Sequence, residues 1–350
     1  MPAANQAAWQ VDNAVKPNQV KSAPYTSPQA NEIVVKNYAV AINPADIALQ
    51  ELGDKIFPWL SYPTILGFDL AGEVVEVGSD ASSRFKVGDR VIGAALGVLP
   101  EINSPAQGAF QNYTVVIANV AAKIPSHLDY AHACVLPVAV ATAASALFLK
   151  EYLGLQLPTF PAQQPTGKTV VIWGGSSSVG SNAIQLAVAA GYEVLTTASP
   201  KNYDYVKSLG ASQAFDYKDE DVVQEIITAL KDKQVAGAIA IGLGSLEPCA
   251  QILNKTNGSK FVADVMSPTL TKPLPEDLGV TSKFVMGSDL RKNEVGEAVY
   301  GDFLEKALEC GKYMAAPDPE IAGHGLEQIQ YAYEVLKKGV SAKKIVVTLQ

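Results

Sequence analysis

The stretch that decides the fold is residues 170–180, which read VVIWGGSSSVG. An apolar strand, a turn of small residues and the start of a helix follow one another in the order that a dinucleotide-binding turn requires. Gly174 lets the chain reverse, Ser177 stands at the middle of the turn, and Gly180 lets the helix pack closely against the strand. Backbone N–H groups at the helix start would then face a pyrophosphate. The stretch therefore predicts a nucleotide site, although its spacing is Gly-x-x-Ser-x-x-Gly and not the commoner Gly-x-Gly-x-x-Gly.

The turn and the end of the following strand supply the predicted binding residues. Enzymes that use NAD usually place an acidic residue about 20 residues beyond the turn, where it binds the ribose hydroxyls. Here the strand at 193–197 runs into ASPKNY at 198–203, which holds no carboxylate. A serine and a lysine at that point suit a 2′-phosphate, so we predict NADP(H) as the cofactor. We assign its binding to Gly174, Ser176, Ser177, Ser178, Val179, Gly180, Ser199, Lys201 and Asn202.

The pattern of predicted secondary structure differs on the two sides of this turn. The first 125 or so residues read as short strands separated by Gly and Pro, which indicates an antiparallel β-rich domain. From residue 169 onward, strands alternate with helical stretches, which indicates a doubly wound parallel sheet. A last strand at 344–349 stands apart from this block and is predicted to return to the first domain. The predicted fold class is α/β, with two domains.

Composition excludes several classes of protein. The 350 residues carry 27 basic and 35 acidic side chains, a net charge of −8, so no basic face for nucleic acid is expected. The longest apolar run, 133–149, is shorter than a bilayer helix and contains Pro137, which argues against membrane insertion. The three Cys are far apart and the first residues do not resemble a secretory signal. We therefore expect a cytoplasmic protein that binds neither nucleic acid nor membrane.

A set of ordered motifs resembles the medium-chain dehydrogenase/reductase superfamily. They are NPAD at 43–46, GFDLAGEV at 67–74, GDRV at 88–91, GAF at 108–110 and the Gly/Ser turn. The resemblance implies a GroES-like catalytic domain at 1–139 and 290–350 and a Rossmann NADP-binding domain at 140–289. It further implies that Asn43 belongs to the cofactor site and that Thr142 lies near the nicotinamide.

The zinc-containing members of that superfamily hold their metal at positions that match Asn43, Phe68 and Val138 here. Phe and Val cannot ligate zinc, so we predict that no metal is bound. Asp46 and Asp69 are expected to be structural acids that order the site.

More narrowly, the chain resembles the zinc-free, quinone oxidoreductase-like members of the superfamily. Among these it is most similar to fungal trans-acting enoyl reductases that serve polyketide synthases, and to related fungal oxidoreductases. It rests on ASPKNYD at 198–204, KSLGA at 207–211 and FDY at 215–217. It implies that Ser199, Lys201 and Tyr217 surround the 2′-phosphate. The chain departs from the polyketide reductases at Ala48, where they can carry a lysine.

The predicted function is NADPH-dependent reduction of an activated C=C bond without a metal. Conjugation must then spread the charge that a zinc ion would otherwise stabilise. Tyr62 is the candidate proton donor or substrate contact, and with Thr142 it forms the predicted catalytic pair. Expected partners are a small-molecule enone, an enoyl thioester or a quinone, with an acyl carrier protein as a further candidate. The alternatives are an NADPH:quinone reductase and a non-catalytic NADPH-binding protein.

Overall fold

The computed structural model describes residues 4–349, which form two compact units. The first unit holds the chain up to Val138 and again from Asp318, and the second holds Ala139–Pro317. The predicted return to the first domain at residue 290 differs from this division. Residues 290–317 stay with the second unit, where the hydroxyl of Tyr313 donates to Asn182 (2.7 Å) and the N–H of Met314 donates to Gln185 (2.7 Å).

The N-terminal segment of the first unit is built mainly from short strands, as the sequence predicts. Its strands are β1 Asn5–Gln10, β2 Gln19–Ala23, β3 Glu32–Ala41, β4 Thr64–Ile65, β5 Asp69–Val77, β6 Arg90–Ala94, β7 Tyr113–Ile117 and β8 Ala121–Lys123. Its helices are α1 Pro44–Leu52 and α2 Tyr130–Ala133, with 3₁₀ turns at Gly53–Lys55, Ala81–Ser83, Pro105–Gln107 and Ala118–Val120.

The second unit alternates strands with helices. Its strands are β9 Lys168–Trp173, β10 Glu193–Thr197, β11 Gln213–Phe215, β12 Gln234–Ala240, β13 Phe261–Asp264 and β14 Thr281–Phe284. Its first helices are α3 Pro137–Phe148, α4 Ser178–Ala189, α5 Tyr203–Ser208, α6 Val222–Ala229 and α7 Leu246–Lys255. Helix α3 begins at the end of the N-terminal segment of the first unit. The last helical stretch begins as α8 Glu294–Gly296, continues as the π-helix Glu297–Leu304 and ends as α9 Glu305–Glu309. The 3₁₀ turns are Pro200–Asn202, Glu276–Leu278 and Gly287–Lys292.

The chain then returns to the first unit, as predicted for the closing strand. This last segment holds β15 Asp318–His324, the 3₁₀ turn Leu326–Gln328, α10 Ile329–Lys337 and β16 Lys343–Thr348. Strand β16 pairs antiparallel with β3, so the C-terminal segment shares a sheet with the N-terminal segment of the first unit.

The sheets explain where chemistry can occur. The second unit has a parallel sheet in the order β11-β10-β9-β12-β13-β14, which is the doubly wound order whose ligands bind beyond the carboxyl ends of the strands. The first unit has a sheet in the order β15-β16-β3-β5-β6-β8, with β7 also paired to β3, and a smaller sheet in the order β2-β1-β4. Strands β16, β3 and β5 are therefore neighbours, which brings together residues from three distant parts of the chain.

Among residues 4–349, one stretch, Tyr130–Phe148, which contains α2 and α3, is long and apolar enough to cross a membrane by length and composition alone. It is longer than the apolar run read from the sequence. Of its most apolar 18-residue window, 78% is buried inside the fold, as in a core helix.

Candidate functional site

The turn after β9 forms a cradle of backbone groups in the second unit. Gly174 has a φ of +87°, a conformation that L side chains rarely adopt. Ser177 is the N-cap of α4: its hydroxyl accepts from the N–H of Gly180 (3.0 Å) and donates to the carbonyl of Gly174 (2.8 Å). A Cβ on Gly180 would lie 2.2 Å from that same carbonyl oxygen. Both glycines and the serine are thus required by the shape of the turn.

The start of α4 keeps donors open for an anion. The first four N–H groups of a helix have no intrahelical partner, and Ser177 satisfies the one on Gly180. Ser178 and Val179, the first two residues of α4, are half-buried at the positive end of the helix dipole, and the half-buried Ser176 lies just before the helix. This geometry fits the pyrophosphate of a dinucleotide.

The end of β10 lies beside this turn, because the N–H of Gly174 donates to the hydroxyl of Thr197 (3.0 Å). Beyond it, Ser199 donates to the hydroxyl of Tyr217 (3.4 Å), which brings two predicted phosphate-binding residues together at the surface. Lys201 is exposed in the 3₁₀ turn Pro200–Asn202, whereas Asn202 is buried. No carboxylate stands at positions 198–203.

Thr142 is a buried residue of α3, and its surroundings are tight. A Cβ added to Gly287 would lie 2.6 Å from Thr142 Oγ1 and 3.2 Å from its Cα. The 3₁₀ segment Gly287–Lys292 that follows β14 therefore fits against Thr142 only because residue 287 has no side chain. Sequence reasoning missed Gly287, since a glycine after a strand reads as an ordinary turn.

In the first unit, Asn43 belongs to a buried polar cluster. Its Nδ2 donates to Asp69 Oδ2 (2.8 Å), and its Oδ1 accepts from Lys344 Nζ (2.5 Å). Lys344 also forms an ion pair with Asp69 at 2.9 Å, with side chains 4% and 0% exposed. The other oxygen of Asp69 accepts from the N–H of Val138 (2.7 Å). Every charge in this cluster has a partner, as buried charges require.

Asp46 is fully buried next to this cluster. Its Oδ2 accepts from the backbone N–H of Asn43 (2.7 Å), whereas its Oδ1 and the nearby buried hydroxyl of Tyr333 have no hydrogen-bond partner within residues 4–349. Burial, with a smaller contribution from the charge of Asp69, raises the pKa of Asp46 to about 7. Asp46 is therefore largely protonated below neutral pH.

The residues at the zinc positions do not fit a zinc site. The side chains of Phe68 and Val138 offer no ligand atoms, and the carboxamide of Asn43 is already hydrogen-bonded to Asp69 and Lys344. The ammonium group itself opposes a metal: a divalent cation about 4 Å away would be repelled by roughly 8 kcal/mol at an effective dielectric constant of 20. Between residues 4 and 349, no three His, Cys, Asp or Glu residues are grouped as metal ligands would be.

Tyr62 lies half-buried in the first unit, and its hydroxyl is 3.5 Å from Asn13 Oδ1. Burial raises its pKa, and the nearby carboxylates of Asp54 and Asp12 add to the rise. The hydroxyl therefore remains protonated at neutral pH and can donate a hydrogen bond or a proton.

Lys344 is the second residue that sequence reasoning missed. It lies 301 positions from Asn43, and a lysine at the start of the last strand, KKIVVT, reads as a solvated strand end. Only the pairing of β16 with β3 could have indicated it.

Comparison with known proteins agrees with this architecture. A family model of the alcohol dehydrogenase GroES-like domain matches residues 29–126, and one named zinc-binding dehydrogenase matches residues 178–299. The dehydrogenase pigH of Monascus ruber is 49% identical, covering 99% of each chain. The trans-enoyl reductase himH of Aspergillus japonicus is 42% identical, covering 99% of this chain and 97% of its own.

Among solved structures, an alcohol dehydrogenase superfamily protein from Novosphingobium aromaticivorans matches with a TM-score of 0.77 at 26% identity, over 99% of this chain and 100% of its own. A Rossmann domain in this setting implies a nicotinamide cofactor and an oxidoreductase activity. On its fold, its nucleotide turn and these relatives, the chain belongs to the medium-chain dehydrogenase/reductase superfamily.

Proposed function

We propose that this oxidoreductase uses NADPH to reduce a C=C bond conjugated to a carbonyl group, and that it does so without a metal ion. The observation that carries the proposal is the Lys344 ammonium, bonded to Asn43 and Asp69 beside the positions where zinc-containing members bind their metal. An intact nucleotide turn combined with a donor set unsuited to zinc restricts the acceptor, because no Lewis acid is available to stabilise an alkoxide.

The preference for NADPH rests on the residues beyond β10. Ser199 and Tyr217 present hydroxyl groups at one surface position, and Lys201 adds an exposed positive charge two residues from Ser199. Hydrogen bonds to a charged group contribute about 1.5–3 kcal/mol each. A 2′-phosphate gains these interactions, whereas the two ribose hydroxyls of NADH would find no carboxylate at positions 198–203, directly after β10.

The residues of this chain bind the nucleotide, orient its nicotinamide half and supply a proton to the acceptor. The N–H groups of Ser178 and Val179 bind the pyrophosphate, and Asn43 and Thr142 orient the nicotinamide half. When bound, the reduced nicotinamide supplies a hydride to the β-carbon of the acceptor. One proton, for which Tyr62 is the candidate donor, completes the addition of two hydrogens across the double bond.

The relatives named trans-enoyl reductases favour an enoyl thioester as the acceptor. If the acyl chain is carrier-bound, an acyl carrier protein is the partner, and reduction of a carrier-bound enoyl group should exceed that of the matching pantetheine thioester. A cytoplasmic location is part of the same proposal.

The proposal is tested by following the loss of reduced-nicotinamide absorbance with the purified protein. The acceptors are an enone, an enoyl thioester, a quinone and a saturated ketone, each with NADPH and with NADH. We expect NADPH to be oxidised by the enone and the thioester and not by the saturated ketone. Oxidation only by the quinone would indicate a quinone reductase, and tight NADPH binding without turnover would indicate a non-catalytic protein.

The 2′-phosphate contacts are tested separately with Lys201→Ala. Loss of one charge-assisted bond should weaken NADPH binding about tenfold, or about 1.4 kcal/mol, with NADH binding unchanged. Lys231→Ala is the matched control, because Lys231 is also an exposed lysine of the second unit but lies before β12, at the opposite end of the parallel sheet. If Lys201→Ala weakens the binding of NADPH and of NADH equally, the assignment of Lys201 to the 2′-phosphate is wrong.

A further inference from the structure

The carboxamide of Asn43 is held from two sides by opposite charges. Lys344 donates to its Oδ1 at 2.5 Å, and Asp69 accepts from its Nδ2 at 2.8 Å. Lys344 and Asp69 are also bonded to each other at 2.9 Å. The three side chains thus form a closed triangle, with each pair joined by a hydrogen bond or an ion pair.

Only one orientation of the Asn43 amide is compatible with this triangle. Turning the amide over would place its N–H groups against the ammonium and its oxygen against the carboxylate, so two attractive interactions would become repulsive. Both charges are almost completely removed from water, where such interactions are strong. The charges of Lys344 and Asp69 therefore decide where the amide oxygen points.

The backbone holds the two charges in place. The N–H of Ile42 donates to the carbonyl of Ile345 (2.9 Å), which ties the residue before Asn43 to the residue after Lys344. Asp69 is the first residue of β5 and pairs with Ala41 of β3. The Asn43 amide is thus fixed relative to the sheet as well as to its partners.

We infer that Lys344 is a positioning residue for the nucleotide: by fixing the Asn43 carboxamide, it keeps the amide oxygen oriented to accept a hydrogen bond from a ribose hydroxyl of the nicotinamide half. This inference rests on the proposed function, which assigns the adenosine phosphate and the pyrophosphate to the second unit and leaves the nicotinamide nucleoside for Asn43. An amide oxygen can accept two hydrogen bonds, and Lys344 uses one of them.

The competing explanation is that Lys344 only neutralises Asp69. Removing the lysine alone would leave the buried carboxylate of Asp69 without its positively charged partner, which destabilises the folded protein. The effect through Asn43 is therefore measured twice: with Lys344→Met alone, and in an Asp69→Asn background, in which the carboxylate that forms the ion pair with Lys344 is absent. In each case the same substitution is also combined with Asn43→Ala.

Two ligands separate the halves of the nucleotide. Equilibrium binding of NADPH reports on the whole molecule, whereas adenosine 2′,5′-bisphosphate lacks the nicotinamide ribose and reports only on the site of the second unit. Lys343→Met is the control, since Lys343 is the neighbouring lysine on β16 and pairs at the surface with Asp318.

We expect Lys344→Met and Asn43→Ala each to weaken NADPH binding about tenfold, with bisphosphate binding and the Lys343→Met control unchanged. In the presence of Asn43→Ala, Lys344→Met should add less than a twofold effect, because the group through which it acts is gone. The Asp69→Asn background should give the same pattern.

Other outcomes overturn the inference. A further tenfold loss in the Asn43→Ala protein would show that Lys344 acts independently of Asn43. If the folded Asp69→Asn, Lys344→Met protein binds NADPH as tightly as the Asp69→Asn protein does, the lysine only balances charge. If the unsubstituted protein binds neither NADPH nor the bisphosphate, the proposed function itself fails, which is a different result from a failure confined to the variants.

Discussion

The buried carboxyl of Asp46 makes a sharp prediction about the pH dependence of stability. Asp46→Asn keeps an oxygen that can accept from the backbone N–H of Asn43, as Asp46 Oδ2 does at 2.7 Å, but it removes the titrating group. The groups that face this site are Asp69, Lys344 and Tyr333, and they are the same in both proteins. The difference between the two proteins therefore isolates the ionisation of Asp46.

The sign follows from the direction of the pKa shift. Burial raises the pKa of Asp46 from 3.8 to about 7 in the folded protein, so between these values the folded state keeps a proton that the unfolded state has released. Raising the pH through that window favours unfolding, at up to about 1.4 kcal/mol per pH unit. Over the whole window the loss is about 4 kcal/mol, and it is complete above the folded pKa.

The assay is urea denaturation of both proteins at a series of pH values from about 4 to 8. We expect the free energy of unfolding of Asp46→Asn to exceed that of the unsubstituted protein progressively as the pH rises, and the difference to level off near neutrality. Other carboxylates titrate in both proteins and cancel in the difference. A difference that stays constant across the range would refute the reasoning, because Asp46 would then have an ordinary pKa in the folded protein.

Three further substitutions test other parts of the account. Gly287→Ala should lower the free energy of unfolding by about 1–3 kcal/mol and also lower turnover, because the added Cβ would lie 2.6 Å from Thr142 Oγ1. Adding Thr142→Ala to this variant should restore part of the lost stability. If no stability is restored, the predicted clash with Thr142 is wrong. Tyr62→Phe should lower kcat about 100-fold with NADPH binding unchanged if Tyr62 supplies the proton, and an unchanged kcat would remove it from that role. Tyr313→Phe should cost about 1–3 kcal/mol in urea denaturation because it leaves the buried Asn182 oxygen without its 2.7 Å donor, and a cost near zero would show that this bond contributes nothing.

Local patterns predict much of the second unit. The strand at 169–173 is observed as Lys168–Trp173, and the helix at 179–190 as Ser178–Ala189. Both depend on apolar periodicity and on the small residues of the turn, which are properties of neighbouring residues. The same reasoning predicted the closing strand, observed as Lys343–Thr348.

Other features depend on residues that are far apart in the chain. Strand β2, QVKSA, is short and largely exposed, so its sequence carries little apolar signal. The extension of the second unit to Pro317 depends on buried bonds from α4 to Tyr313 and Met314. The bond between Lys344 and Asn43 exists only because β16 pairs with β3. No local pattern contains this information.

The central claim is that the chain transfers hydride to a conjugated acceptor with no metal ion at the Asn43 cluster. The most direct measurement is the rate of NADPH oxidation by an enone before and after exhaustive treatment with a zinc chelator, with metal content determined on the same samples. The account predicts equal rates and no stoichiometric zinc. A rate that disappears on chelation and returns when Zn²⁺ is added would contradict it.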